Sequence, residues 1–137
     1  MKDWLNLTIK HREDFRPFGA SILREKVADI FEFDHDSPYM LYVANFKKEH
    51  GEAFPAVTHI NGTSRIQTVT AKENPRYYDL ILEFYKLTGV PMILNTSLND
   101  TEPIVCTPLS AIELFMRTKI EYLAIEDYIV ENKWDHF

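Results

Sequence analysis

Glycine is scarce in this 137-residue chain, with four in all, and there is one cysteine, Cys106. One thiol cannot form an internal disulfide, so the fold must rest on its core, and a reducing cytoplasmic setting is the simplest inference. No apolar run is long enough to span a bilayer or to act as a secretory leader. Internal repeats and low-complexity tracts are absent, which excludes solenoids and linker-like chains. Walker A and dinucleotide fingerprints are also missing. The histidines, His11, His35, His50, His59 and His136, show no metal-ligand spacing, so no metal site is assigned. What remains is a 45% hydrophobic sequence, read as one domain over residues 1–137 and long enough to bury about two-thirds of its unfolded surface.

Charge is distributed unevenly. The formal net charge is -6, which argues against general binding to nucleic acid or anionic membrane. Residues 1–26 run the other way: Lys2, Lys10, Arg12, Arg16, Arg24 and Lys26 outnumber Asp3, Glu13, Asp14 and Glu25.

The hydrophobic pattern alternates between strand-like and helix-like segments. Residues 3–9 fit either type. Ala20–Leu23 suits a strand, and Val27, Ile30 and Phe31 form a helical face over residues 24–31. Tyr39–Ala44 reads as a buried strand and Lys47–Phe54 as a loop. Pro55–Ile60 and Arg65–Val69 read as two strands flanking the Asn61-Gly62 turn. Asn74-Pro75 opens a helix carrying Tyr78, Ile81, Leu82 and Tyr85, which Gly89 ends. Val90–Leu94 is a strand, and Thr107-Pro108 starts a helix with Ala111, Leu114 and Phe115 on its apolar face. Tyr122–Ile125 and Tyr128–Val130 complete the pattern as two short strands. Together these predict an α/β (α+β) domain with an open, twisted, mixed sheet and helices on it.

Three polar clusters interrupt this frame: Lys10-His11-Arg12 with Arg16, Gly62-Thr63-Ser64-Arg65, and Asn95-Thr96-Ser97-Leu98-Asn99. Guanidinium forks match phosphate and carboxylate oxygens, and Thr, Ser and Asn supply neutral groups that orient what the arginines attract. An anion pocket is the sharp reading. The plain one is solvated charge for Lys10, Arg12 and Arg16, an ion pair for Arg65, and turn or cap roles for Ser97 and Asn99. Arg16 lies between Phe15 and Pro17-Phe18, an apolar context expected to hold its side chain. His59 reads as structural, Cys106 as a small buried hydrophobe, and Asp100 and Glu102 as a solvated loop in preference to magnesium ligands.

The same stretches carry a family resemblance. Residues 10–18, Ser37-Pro38-Tyr39-Met40, residues 55–69 and Leu94-Asn95-Thr96-Ser97-Leu98-Asn99 with Glu102-Pro103-Ile104-Val105-Cys106-Thr107-Pro108 resemble the C-terminal domain of the NodU/CmcH O-carbamoyltransferases. The resemblance runs from about Asp3 to Glu131. It implies a fold like that of the YrdC-type threonylcarbamoyl-AMP synthases, with carbamoyl phosphate and ATP (with Mg2+) as ligands and carbamoyl adenylate as product. Lys10, Arg12 and Arg16 match the basic motif, Ser97 and Asn99 the Ser-x-Asn motif, and Arg65 the Gly-Thr-x-Arg segment. The resemblance thus implies that Arg12, Arg16 and Arg65 act on phosphate charge, and that Lys10, Thr63, Ser64, Thr96, Ser97 and Asn99 bind substrate. The family's large N-terminal acceptor-binding domain is absent from these residues. A separate N-terminal partner or a homo-oligomer is therefore expected, and a non-catalytic docking module is the alternative.

Overall fold

In the computed structural model the described residues are 1–50 and 52–133. Gly51, inside the expected 47–54 loop, and His136 lie outside them. The chain divides into two compact units, one formed by Asp3–Arg16 with the chain from Ser97 onward, the other by Pro17–Thr96.

The Pro17–Thr96 unit contains an open four-stranded sheet, ordered β2-β3-β1-β4. Its strands are β1 (Gly19–Leu23), β2 (Tyr42–Asn45), β3 (Thr63–Val69) and β4 (Met92–Asn95). β1 runs parallel to β3 and antiparallel to β4, while β2 and β3 are antiparallel. The expected mixed α/β class is therefore observed. Side chains alternate across each strand. On one face, Ala20, Ile22, Ala44, Ile66 and Met92 join Val27 and Ile30 of α2 (Val27–Ile30), with Phe31, Phe46 and Val57, in the larger core. On the other face, Leu23 and Val69 meet Ile81 of α3 (Pro75–Thr88). Burying such aliphatic and aromatic side chains contributes roughly 1.5–3 kcal/mol each.

The boundaries of α3 follow from its end chemistry. Asn74 accepts a hydrogen bond from the Tyr77 amide, Pro75 occupies the first turn, and Gly89 closes the helix at φ 74. Glycine suits this left-handed position because a Cβ would be strained there.

Two expected strands are corrected. Pro55–Ile60 forms turns: the Val57 amide donates to the Phe54 carbonyl at 3.1 Å, and Thr58 Oγ1 donates to the same carbonyl at 2.8 Å. Local bonds to Phe54 replace a ladder, and the apolar character of Val57 reflects core burial rather than strand pairing. The second strand begins at Tyr42, not Tyr39, because Met40 has φ 57, a left-handed conformation that ends extended pairing. Residues 2–9 resolve as α1 (Lys2–Trp4) followed by a wide helical turn, Leu5–Ile9.

The other unit holds that turn, α4 (Pro108–Arg117), and a hairpin of β5 (Tyr122–Ile125) and β6 (Tyr128–Glu131). Thr107 caps α4 by accepting from the Ser110 amide, and Ala111, Leu114 and Phe115 are buried, as the pattern predicted. Among the described residues, no helix is long and apolar enough to cross a membrane.

Gly19 in β1 has no room for a side chain. A Cβ there would collide with Met40 Cε and lie 2.9 Å from the Arg65 carbonyl oxygen. Gly19→Ala should therefore destabilise the protein by about 1–3 kcal/mol, seen as a lower urea midpoint at unchanged slope.

Candidate functional site

The basic loop is organised by Asn6. This side chain is fully buried in the Leu5–Ile9 turn. Its Nδ2 donates to the carbonyls of Asp14 (3.1 Å) and Arg16 (2.9 Å), and its Oδ1 accepts from Arg12 Nε at 2.7 Å. All the side chain's hydrogen-bonding atoms are thus committed to the 10–16 segment. His11 takes φ 48, and the Arg12 amide returns to the Asn6 carbonyl at 3.0 Å, so the loop folds back over the turn that holds it.

Lys10 is 6% exposed. Its ammonium donates to the Ser97 carbonyl, the Asn99 carbonyl (3.0 Å) and Asn99 Oδ1 (2.7 Å), with Ser97 Oγ at 3.3 Å. An ammonium has three N–H groups, and this loop supplies acceptors for all of them. Ser97 Oγ also donates to Asn99 Oδ1 at 2.6 Å. Three predicted residues from distant parts of the sequence therefore form one bonded cluster.

The cations of this loop sense one another. Burial is the main cause that lowers the Lys10 pKa, and the Arg12 charge lowers it further, with Asp100 opposing. Burial likewise lowers the Arg12 pKa, and Arg16 adds to this, with Glu13 opposing. Elsewhere in the basic N-terminal segment, Arg24 is paired with Asp34 and Asp36, and Lys26 with Asp29. Arg16 is not held by apolar neighbours, since it, Phe15 and Pro17 are all exposed and only Phe18 is buried.

The remaining predicted residues belong to the Pro17–Thr96 unit. Thr63 Oγ1 donates to Asn61 Oδ1 at 2.7 Å and meets His59 Nδ1 at 3.1 Å. Ser64 is buried on the core face, and its Oγ makes no hydrogen bond among the described residues. Arg65 is exposed opposite Gly19 and Val43, and Thr96 is exposed just past β4. The Arg65 face continues into a polar row that sequence reading missed. Gln67 Oε1 accepts from Ser21 Oγ (2.8 Å) and Asn95 Nδ2 (2.7 Å), while Gln67 Nε2 donates to the Pro38 carbonyl (3.0 Å). The signal was present in the alternation of Arg65 and Gln67, which puts two polar residues on one strand face.

The described residues include two depressions of about 250 Å3 each. One, in the Pro17–Thr96 unit, is lined by Gln67, Pro38, Tyr39, Asn74 and Tyr77 among others; the other lies between Asn99–Cys106 and α4. Of the predicted residues only Asn99 lines either. Cys106 is exposed, contrary to expectation: it sits in irregular chain ahead of Thr107 and donates through Sγ to the Ile104 carbonyl. Asp100 and Glu102 are engaged by Arg117, at 3.1 Å and 2.7 Å, and among the described residues no group of three or more His, Cys, Asp or Glu could hold a metal ion.

Two outcomes follow from this geometry. Asn6→Ala would remove the donor to two carbonyls and the acceptor of Arg12 Nε, and should cost about 1–3 kcal/mol in denaturant unfolding. Burial lowers the pKa of His59, with a backbone hydrogen bond at Phe18 opposing. Below about pH 6.5 the unfolded chain then binds more protons than the folded one at this site, so stability falls as pH falls through that range. His59→Gln should flatten this part of the profile of unfolding free energy measured between pH 7.5 and 5.5.

Residues 1–132 match the family described as Carbamoyltransferase C-terminus. An uncharacterized protein of Synechocystis is 43% identical over 95% of this chain and 25% of its own length. Nodulation protein NolO of Bradyrhizobium diazoefficiens is 38% identical over 96% of this chain and 25% of its own. The 3'-hydroxymethylcephem-O-carbamoyltransferase of Amycolatopsis lactamdurans is 34% identical over 97% and 24%. The chain therefore spans about a quarter of the length of these curated relatives. With its basic loop, its Ser97/Asn99 cluster and a match across residues 1–132, the chain belongs to the carbamoyltransferase C-terminus family.

Proposed function

We propose that this chain binds carbamoyl phosphate and ATP and forms carbamoyl adenylate for O-carbamoylation of a hydroxyl acceptor. The observation that carries this reading is the cluster of Lys10, Arg12 and Arg16, whose charges repel one another while buried Asn6 and the Ser97–Asn99 loop hold two of them in place. Such an arrangement is stabilised by an anion, and phosphate is the anion that guanidinium forks grip best.

In this reading Arg12 and Arg16 hold the phosphate oxygens and neutralise charge as phosphate and pyrophosphate leave. The balance is carbamoyl phosphate, ATP and water giving carbamoyl adenylate, phosphate and pyrophosphate. Lys10 adds positive charge while fixing the loop through its own donors. Ser97 and Asn99 orient the carbamoyl or nucleotide groups. No protein nucleophile is needed. Among the described residues magnesium finds no carboxylate set, and Asp100 and Glu102 are committed to Arg117, so in this reading it enters on the nucleotide. A cytoplasmic setting belongs to the same reading, because ATP and an exposed thiol both suit it.

A second reading has its own support. Leu109, Ile112 and Met116 of α4 and Tyr128 and Ile129 of β6 are exposed, and the relatives are much longer. Apolar surface of this kind fits a module that docks on a separate N-terminal domain or on a second copy of itself.

Calorimetry with carbamoyl phosphate separates these readings. The proposal expects saturable binding weakened at least about tenfold in both Arg12→Ala and Arg16→Ala, or roughly 1.4 kcal/mol. Binding that is unchanged in both variants would remove the assigned pocket.

A further inference from the structure

We propose that Arg117, on α4, is a positioning residue for the Lys10 cluster, acting through the loop of Asp100 and Glu102. The inference rests on the anion-site reading of Lys10 only for its functional consequence. Its structural content stands on hydrogen bonds within one unit.

Arg117 reaches the loop with two nitrogens. Nε donates to Asp100 Oδ2 (3.1 Å), and Nη2 donates to Asp100 Oδ1 (3.2 Å) and Glu102 Oε2 (2.7 Å). A bidentate guanidinium fixes a carboxylate in orientation as well as distance, which a lysine reproduces only in charge. Asp100 is the sheltered partner, its side chain 12% exposed against 64% for Glu102. The same Asp100 Oδ1 accepts the backbone amides of Thr101 (2.6 Å) and Glu102 (3.2 Å), so the carboxylate shapes the turn it belongs to. The Arg117 hydrogen bonds hold the Asp100 carboxyl below the usual carboxylate range, ahead of the help from the two amides.

The turn then sets Asn99. Asn99 Nδ2 donates to the Glu102 carbonyl at 2.8 Å, which leaves Oδ1 facing the other way. That oxygen accepts from Lys10 Nζ and Ser97 Oγ. If the Glu102 carbonyl moved, Asn99 would lose the partner that decides its amide orientation, and Lys10 would lose Oδ1, one of its three main acceptors. The base of this relay is firm: α4 is anchored by buried Ala111, Leu114 and Phe115, and buried Thr118 closes it by donating through Oγ1 to the Leu114 carbonyl at 2.9 Å. Arg117 in the last turn is also favoured by the helix dipole.

The test uses the full chain and two readouts. The first is the 15N–1H signal of the Lys10 ammonium, which slow exchange makes visible when three acceptors hold it, and which needs no ligand. Arg117→Met should abolish this signal, Arg117→Lys should restore part of it, and Lys119→Gln, at an exposed position just past α4, should leave it intact. The second is carbamoyl phosphate affinity, expected to fall about tenfold in Arg117→Met, as for other residues that orient a binding group without touching the ligand. A Lys10 signal unchanged in Arg117→Met overturns the proposal whatever the ligand. A lost signal, in a wild-type protein that binds no carbamoyl phosphate, upholds the relay and overturns the ligand reading instead. If Arg117→Met does not fold, Asp100→Asn takes its place, since it keeps an oxygen for the two amides and removes the ion pair. Loss of the Lys10 signal in folded Asp100→Asn supports the relay, and its survival overturns it.

Discussion

The Lys10 ammonium ties the basic loop to the Ser97–Asn99 loop, and much of the site's geometry depends on that bond set. Burying a cation at 6% exposure is unfavourable unless every donor is satisfied. Here the acceptors are two backbone carbonyls and an amide oxygen, with a hydroxyl close by, all neutral. The charge is therefore solvated by dipoles and not cancelled within this bond set. Asp100 is near enough to raise the Lys10 pKa, yet its own oxygens are occupied by Arg117 and two amides.

The basic loop follows the same logic with a different anchor. Arg12 and Arg16 repel, and a loop left to itself would spread them apart. Asn6 prevents this by binding two backbone carbonyls and one guanidinium nitrogen from a buried position. The unfavourable electrostatics are thus offset during folding by hydrogen bonds. The sheet unit shows a parallel device, where Gln67 joins Ser21 and Asn95 into a fixed polar row beside Arg65 on an otherwise hydrophobic framework.

Where the chain was readable from sequence, the reason was local. Asn74, Pro75 and Gly89 announce the ends of α3 because their conformational preferences act over a few residues. The apolar spacing of Ala111, Leu114 and Phe115 announces the buried face of α4 for the same reason. The misread segments were those whose partners are not neighbours in a ladder: Val57 is buried without being in a strand, and the Tyr39–Leu41 run is interrupted by a left-handed Met40. Site residues divide similarly. Lys10, Ser97 and Asn99 were identified by side-chain chemistry and family resemblance, and the structure brings them together. Asn6 was invisible because an asparagine in an apolar stretch resembles any surface polar residue. Arg117 looked like an ordinary cation at a helix end.

Asn6 and the likewise overlooked Gln67 share a property that explains why they escaped notice. Each acts on the backbone of another segment, and no pattern along the chain encodes which carbonyl a side chain will meet. Asn6 reads out Asp14 and Arg16, and Gln67 reads out Pro38. A residue that offers a charge to a ligand must be chemically distinctive, so it stands out in a sequence. One that sets where the charge sits need only be the right length and polarity, so its identity becomes legible once the fold has placed its partner.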